Sequence, residues 1–235
     1  MMKVAVFTGT RAEYGILSGV LAKLRDDPFF ELQLIVAGSH LSPEFGNTFE
    51  QIEADGFEIS ARVECLLSSD TKVGVAKSIG LATISLADSL YTLAPDCIVI
   101  LGDRTELLAA AQTALILRIP IIHLHGGEIT EGAVDDEIRH AITKMAMVHF
   151  TSTNSYRNRV IQLGEAPERV FNVGALGLDN IVNCDVMSLV SISDSLPQPL
   201  STPFCLLTYH SATATNEDEV VAIDNIMRAL LSRDN

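Results

Sequence analysis

The sequence predicts an α/β fold, a Rossmann-like parallel sheet with helices on both faces. Three observations lead there. Short runs rich in Val and Ile alternate with longer amphipathic stretches along most of the 235 residues. The short runs are apolar at successive positions, as strands buried on both faces must be. Hydrophobic residues make up 48% of the chain, enough for a sizeable core. Strand–helix alternation of this kind builds a parallel sheet through right-handed crossovers.

The elements follow in order. "KVAVF" precedes "YGILSGVLAKLRDD", "LQLIVAG" precedes "SPEFGNTFEQIEADG", and "FEISARV" precedes a helical stretch from Thr71 to Leu93. "CIVIL" precedes "TELLAAAQTALILR", in which Leu107, Ala111, Ala114 and Leu115 share one helical face. "IPIIHLH" precedes "DDEIRHAITKMA", "MVHFTS" precedes "NSYRNRVIQLG", and "RVFNVG" precedes "LGLDNIVN". About seven strands are therefore expected over residues 1–185. Residues 186–202, rich in Ser and Pro, read as a linker. Residues 203–235 read as one strand, "FCLLTYH", and one helix with acidic residues in its first turn, the start of an incomplete second domain.

The chain carries 30 acidic and 16 basic residues, a formal charge of −14. That balance repels a phosphate backbone, so no nucleic-acid partner is expected. The cysteines Cys65, Cys97, Cys184 and Cys205 form no CxxC pair and point to a reducing, cytoplasmic location. Cys97 and Cys205 lie in apolar runs and read as core residues. No apolar stretch is expected to span a membrane, and none is expected to bind one.

Ligands of open parallel sheets sit at the carboxyl ends of the strands. After the first strand comes "TGTRAEYG", where Gly9 permits a tight turn and a helix starting near Ala12 offers N–H groups to an anion beside Arg11. A plain strand–helix turn is the alternative; the pattern is not GxGxxG, which argues against a dinucleotide. After the fourth strand, Asp103 is either a desolvated carboxylate of raised proton affinity or the N-cap of the next helix. After the fifth comes "HLHGGEIT". His123 and His125, two residues apart, would share a strand face, with Glu128 the nearest third metal ligand; the spacing fits no zinc motif, and no metal is expected. The glycine pair reads as a loop that lets backbone approach a ligand. Asp135 and Asp136 then open a helix, as caps or as part of a site, while His140 and His149 read as packing residues. Arg11, Asp103, His125, Glu128, Asp135 and Asp136 all fall on carboxyl-end loops of neighbouring strands. Acids near an arginine suit proton transfer at carbon together with departure of an anionic group.

"GTRAEYG", "LGDRTE", "HLHGGEITEGAVDDEIRHAITKMA" and "VIQLGEAPERVFNVGALGLDNI" resemble the hydrolysing UDP-N-acetylglucosamine 2-epimerases of sialic acid biosynthesis, over nearly the whole chain. Related enzymes act on diacetamido-trideoxy sugar nucleotides in legionaminic acid synthesis. The resemblance implies a GT-B-type pair of Rossmann-like domains with the site between them, of which this chain holds the N-terminal one. It implies elimination of UDP to a glycal-like intermediate, then hydration to the free 2-epimer, N-acetylmannosamine in type, with no cofactor. It assigns Asp103 and Asp135, with Asp136 beside it, as catalytic acids, His210 of "TYHSAT" as a further catalytic residue, and either His125 or Glu128 as acid–base. Arg11 of "GTR", with Gly9, Thr10 and Arg139, would bind substrate. Many relatives carry glutamate at the position of His125 and proline at that of Ser211. A homo-oligomer, dimer or tetramer, is implied, with the helix from Thr71 to Leu93 as a candidate surface. A continuation of about 140 residues would complete a second domain, and without it the chain is expected to be inactive or nearly so. A GT-B-type glycosyltransferase-like protein and a non-catalytic sugar-binding or regulatory module are the rival readings.

Overall fold

The computed structural model of the chain describes residues 1–69, 71–183, 186–209 and 218–232. Contacts divide the chain into two compact units, one of residues 1–129 and 135–182, the other of residues 130–134 and 183–235.

The first unit is a sheet of seven strands among the described residues, all parallel: β1 (Met2–Thr8), β2 (Phe30–Ala37), β3 (Ile59–Val63), β4 (Cys97–Leu101), β5 (Ile121–Leu124), β6 (Val148–Thr151) and β7 (Val170–Asn172). The helices between them are α1 (Arg11–Asp26), α2 (Phe49–Ala54), α3 (Lys72–Leu93), α4 (Thr105–Ile116), α5 (Asp135–Met145) and α6 (Asn154–Gln162), and α7 (Leu176–Asn183) follows β7. The spatial order is β3-β2-β1-β4-β5-β6-β7. The chain winds outward from β1 in one direction and returns to wind outward in the other. The crevice between the carboxyl ends of β1 and β4 is therefore the topological switch point, where an open α/β sheet takes its ligands.

Strand alternation divides the core. Ala5, Phe7, Ile35, Ile98 and Ile100 pack on one face with the buried residues of α3, α4 and α5. Val4, Val6, Leu34, Val36, Val99 and Leu101 pack on the other with Tyr14, Leu17 and Leu21 of α1. Burial on both faces leaves the central strands no polar side, which is why their sequences run apolar without alternation. The Rossmann-like fold is thus the one the sequence predicts.

Several local expectations are corrected. α3 has 22 residues and a mean hydropathy of 1.3, long and apolar enough by length and composition to cross a membrane. Its stripe of Gly74, Ser78, Ala82, Leu86 and Leu90, one residue per turn, is buried, while Val73, Leu81, Ile84 and Tyr91 on its other faces are exposed. α4 stops at Ile116, and Leu115 faces outward at 48% exposure, off the face of Leu107, Ala111 and Ala114. Cys97 is buried as expected, but Cys205 is exposed; Cys184 lies outside the described residues.

The second unit contains α8 (Leu189–Ser195), inside the segment read as a linker, and α9 (Glu219–Leu231). Ser188 caps α8 through Ser191 N–H at 3.1 Å, and Asp218 caps α9 through the N–H groups of Val220 and Val221. The strand expected at "FCLLTYH" is not formed among its described residues, 204–209. A strand exists only through a neighbour, and Leu206, 90% exposed, has found none.

Candidate active site

Arg139, on the inner face of α5, organises the first cluster. Its guanidinium is 5% exposed and donates to the Asp103 carboxylate, to Asp136 Oδ1 at 2.8 Å and to the backbone carbonyl of Glu128 at 2.7 Å. A planar fork of fixed donors is suited to holding three acceptors at once. Asp103 thus comes from the carboxyl end of β4, Glu128 from the loop after β5 and Asp136 from the head of α5, all gathered on one cation. Asp135 opens the same helix turn. Asp103 is not a helix cap: Arg104 occupies the N-cap position of α4, and no side-chain cap bond is made there. Arg139 itself, expected to meet substrate, is buried among its own protein partners and reads as the residue that holds the acids.

His123 and His125 do not share a strand face. β5 ends at Leu124, and His125 turns out of the strand with φ +62°. His123 is fully buried. Its Nε2–H donates to the carbonyl of Gly102 at 2.8 Å, and Nδ1 accepts from the Thr143 hydroxyl at 3.2 Å. Burial drops its pKa to about 4, so the ring is neutral and braces the turn that presents Asp103.

His125 works outward. Leu176 N–H donates to its Nε2 at 3.4 Å, which leaves the proton on Nδ1, 3.2 Å from Glu128 Oε1. The Ser152 hydroxyl donates to the same oxygen at 2.6 Å. Burial pushes the Glu128 carboxyl up, but the bonds from His125 and Ser152 and the nearby imidazole outweigh it and hold the group below the ordinary carboxylate range. Glu128 is therefore an ionised, oriented carboxylate, with 28% of its side chain exposed. The turn between them is fixed by Gly127, at φ +79°. A Cβ there would strike the Tyr156 carbonyl and come within 2.9 Å of Val160 Cγ2, and Arg159 donates to the Gly127 carbonyl.

The second cluster lies at the switch point. Arg11 and Arg104 are exposed and, with Thr10, Ser39, Glu44 and Thr48, line an open cleft of about 550 Å³. Beneath them two acids are buried, Glu13 and Glu106, each 7% exposed. Glu13 Oε2 accepts from Gly9 N–H at 2.7 Å and Thr10 N–H at 3.1 Å, while the Thr10 hydroxyl accepts from Glu13 N–H at 3.4 Å, a complete capping box. The Gly9 and Thr10 amides, expected to await an anion, are thus occupied by the protein's own carboxylate. Arg104 Nε lies 3.5 Å from Glu106 Oε2.

Of the residues singled out in the sequence, Asp103, Asp136 and Glu128 meet on Arg139, with His125 attached through Glu128 and Asp135 adjacent. Arg11, Gly9 and Thr10 form the neighbouring rim. His210 lies outside the described residues. Sequence reasoning passed over Ser152, Arg104 and Glu13. The first two follow strands at their carboxyl ends, and Glu13 stands three residues after Thr10 in capping-box spacing; those were the available signals.

A family model described as UDP-N-acetylglucosamine 2-epimerase matches residues 22–235. A GDP/UDP-N,N'-diacetylbacillosamine 2-epimerase (hydrolyzing) of Campylobacter jejuni is 39% identical over 97% of this chain and 59% of its own length. A UDP-N,N'-diacetylbacillosamine 2-epimerase (hydrolyzing) of Legionella pneumophila is 35% identical over 98% of this chain and 61% of its own. The chain thus spans about three fifths of these curated relatives. The crystal structure of UDP-GlcNAc 2-epimerase from Neisseria meningitidis bound to UDP-GlcNAc superposes with a TM-score of 0.68 at 19% identity, over 77% of this chain and 49% of that one, a likeness of fold. With the family model covering most of the chain, and the fold agreeing, the chain belongs to the UDP-N-acetylglucosamine 2-epimerase family.

Proposed function

We propose that this chain supplies the acid–base half of a hydrolysing sugar-nucleotide 2-epimerase. Its substrate is a UDP-linked 2-acetamido sugar, UDP-N-acetylglucosamine or the diacetamido kind named for its relatives. The observation that carries this reading is the convergence of Asp103, Asp136 and the Glu128 carbonyl on buried Arg139, beside a Glu128 carboxylate oriented by His125 and Ser152.

In the first step a carboxylate takes the proton from C2, the C1–O bond breaks with its electron pair passing to the diphosphate, and a C1–C2 double bond forms. In the second, water adds its oxygen to C1 while C2 receives a proton on the opposite face, releasing the free 2-epimer and UDP. Two proton transfers at one carbon call for more than one acid–base group, and Asp103, Glu128, Asp135 and Asp136 stand within one rim to provide them. Oriented carboxylates need no reorganisation as charge develops. Arg11 and Arg104 offer positive charge to the departing diphosphate. His210, which lies outside the described residues, enters this proposal as a further catalytic residue on its sequence motif alone, and the reaction is proposed to take place in the cytoplasm.

The test is turnover in D₂O, using the chain together with the remaining two fifths found in its relatives. The expected product carries deuterium at C2 and appears with free UDP. Free sugar with protium at C2, or a sugar transferred to an acceptor, overturns the reading.

Self-association belongs to the same proposal. Val73, Ile84 and Tyr91 of α3 and Leu115 and Ile116 of α4 are exposed apolar side chains on packed helices, a surface suited to a second copy. Light scattering is expected to give a dimer or larger, and Ile84→Lys a smaller species.

A further inference from the structure

His125 stands just past β5 at φ +62°, with 17% of its side chain exposed. Both ring nitrogens have partners. The Leu176 N–H, the first of α7, donates to Nε2, and Nδ1 faces Glu128 Oε1 at 3.2 Å. α7 is itself tied to α1, because Asn180 donates to the Gly15 carbonyl and Leu176 packs in the core cluster that holds Leu17 and Leu21. The positive end of the α7 dipole therefore meets Nε2. A proton placed on Nε2 would lose the Leu176 bond and set a cation against that end. The ring is thus arranged as acceptor at Nε2 and donor at Nδ1. Glu128 Oε1 takes that donor together with the Ser152 hydroxyl. Oε2 makes no hydrogen bond among the described residues, and the side chain is 28% exposed. Arg139 of α5 and Arg159 of α6 hold the same loop by its backbone, at the Glu128 and Gly127 carbonyls. The result is a carboxylate with one oxygen pinned and the other open.

We propose that the head of α7, His125 and Ser152 form a positioning relay that pins Glu128 Oε1 and leaves Oε2 as the base of the elimination step. This assignment rests on the proposed sugar-nucleotide reaction. Oε2 takes the proton from C2, the C–H electron pair becomes the C1–C2 double bond, and the C1–O pair leaves with the diphosphate. His125 keeps its own proton throughout. It is a positioning residue and not the acid–base group, in the way that a third group orients the base of a catalytic triad. The Leu176 amide acts one step further back, by choosing the tautomer. Ser152 supplies the second donor that stops the carboxylate from turning.

Asparagine and aspartate at position 125 separate positioning from proton exchange. The two have nearly the same shape, and both accept a positive φ more readily than other non-glycine residues. Asparagine Nδ2 can donate where Nδ1 does, whereas ionised aspartate donates nothing and repels Glu128. The protein for the assay is the chain joined to the remaining two fifths found in its relatives. The kcat for UDP release is expected to fall about three- to tenfold in His125→Asn and about 10²-fold or more in His125→Asp, with KM changed by less than about threefold in both. A residue that exchanged protons itself would give the reverse order, since aspartate can carry a proton and asparagine cannot. Activity of His125→Asp equal to or above that of His125→Asn overturns the proposal. A second measurement needs no turnover and decides even if His125→Asp does not fold. Nitrogen-15 NMR of the chain at pH 8, with the ring signals assigned by their loss in His125→Asn, is expected to find the His125 proton on Nδ1 alone. A proton on Nε2 overturns the proposal. Absence of UDP release by the wild-type protein would count instead against the epimerase reading, and the NMR result would still decide the relay.

Discussion

The two rims of the sheet bury opposite charges. At β4–β6 the cation is inside: Arg139 is 5% exposed while Asp103 and Asp136 are 19% and 27% exposed. At the β1–β4 switch point the acids are inside, Glu13 and Glu106, and the cations Arg11 and Arg104 are exposed. In each cluster the buried partner is committed to protein groups and fixes geometry, while the outer groups remain able to meet a ligand. One rim thus presents carboxylates and the other guanidiniums, the two charge types that removal of a proton from carbon and departure of a diphosphate require.

The contrast can be broken in steps. The largest expected effect is on turnover: Asp103→Asn, in the chain joined to the remaining two fifths found in its relatives, lowers UDP release by about 10²–10⁴-fold, measured by coupled assay, and costs about 1–3 kcal/mol of stability because buried Arg139 loses a charged acceptor. Arg139→Ala comes next. It strands the acids it holds and is expected to cost about 3–5 kcal/mol in urea unfolding, whereas Arg11→Ala, at the outer position of the other rim, changes stability by less than about 0.5 kcal/mol. Equal costs for the two arginines would remove the distinction.

The buried acids sharpen it further. The folded state raises the Glu13 pKa from the ordinary 4.5 to about 7. Between those values the folded chain keeps a proton the unfolded chain has lost, so this group's contribution to stability falls as pH rises through the window. The fall reaches about 3 kcal/mol above pH 7. Glu13→Gln is expected to abolish that slope in thermal unfolding followed from pH 4.5 to 7.5. Glu128 has the opposite sign: its lowered pKa contributes stability that is present above the ordinary carboxylate value and is lost as pH falls through the folded value. Ser152→Ala removes one of the bonds responsible. It is expected to cost about 1 kcal/mol and to raise the Glu128 midpoint in a carbon-13 carboxyl titration.

Much of this was legible in the chain. The buried strands announced themselves through "CIVIL" and "KVAVF", because a strand covered on both faces admits little else. Rules for parallel sheets then carried Arg11, Asp103 and Glu128 to one edge. What could not be read depended on backbone conformation and on partners distant in sequence. His125 leaves the strand because its φ is +62°, a change of direction that spacing alone does not reveal. Arg139 meets Asp103 across 36 positions. "TRAE" was ambiguous for a different reason: the same four residues describe an anion-binding turn and a capping box, and only the position of the Glu13 side chain chooses between them. "FCLLTYH" shows the reverse failure, strand propensity without a neighbouring strand among the described residues.

The Gly127 turn carries a consequence for change in this molecule. With the Tyr156 backbone on one side and a left-handed φ on the other, the position tolerates no graded alteration. A larger residue would displace Glu128 and α6 together instead of adjusting either. Change here must therefore enter through the residues around the turn, leaving the 3.2 Å approach of the His125 imidazole to the Glu128 carboxylate as its fixed ruler.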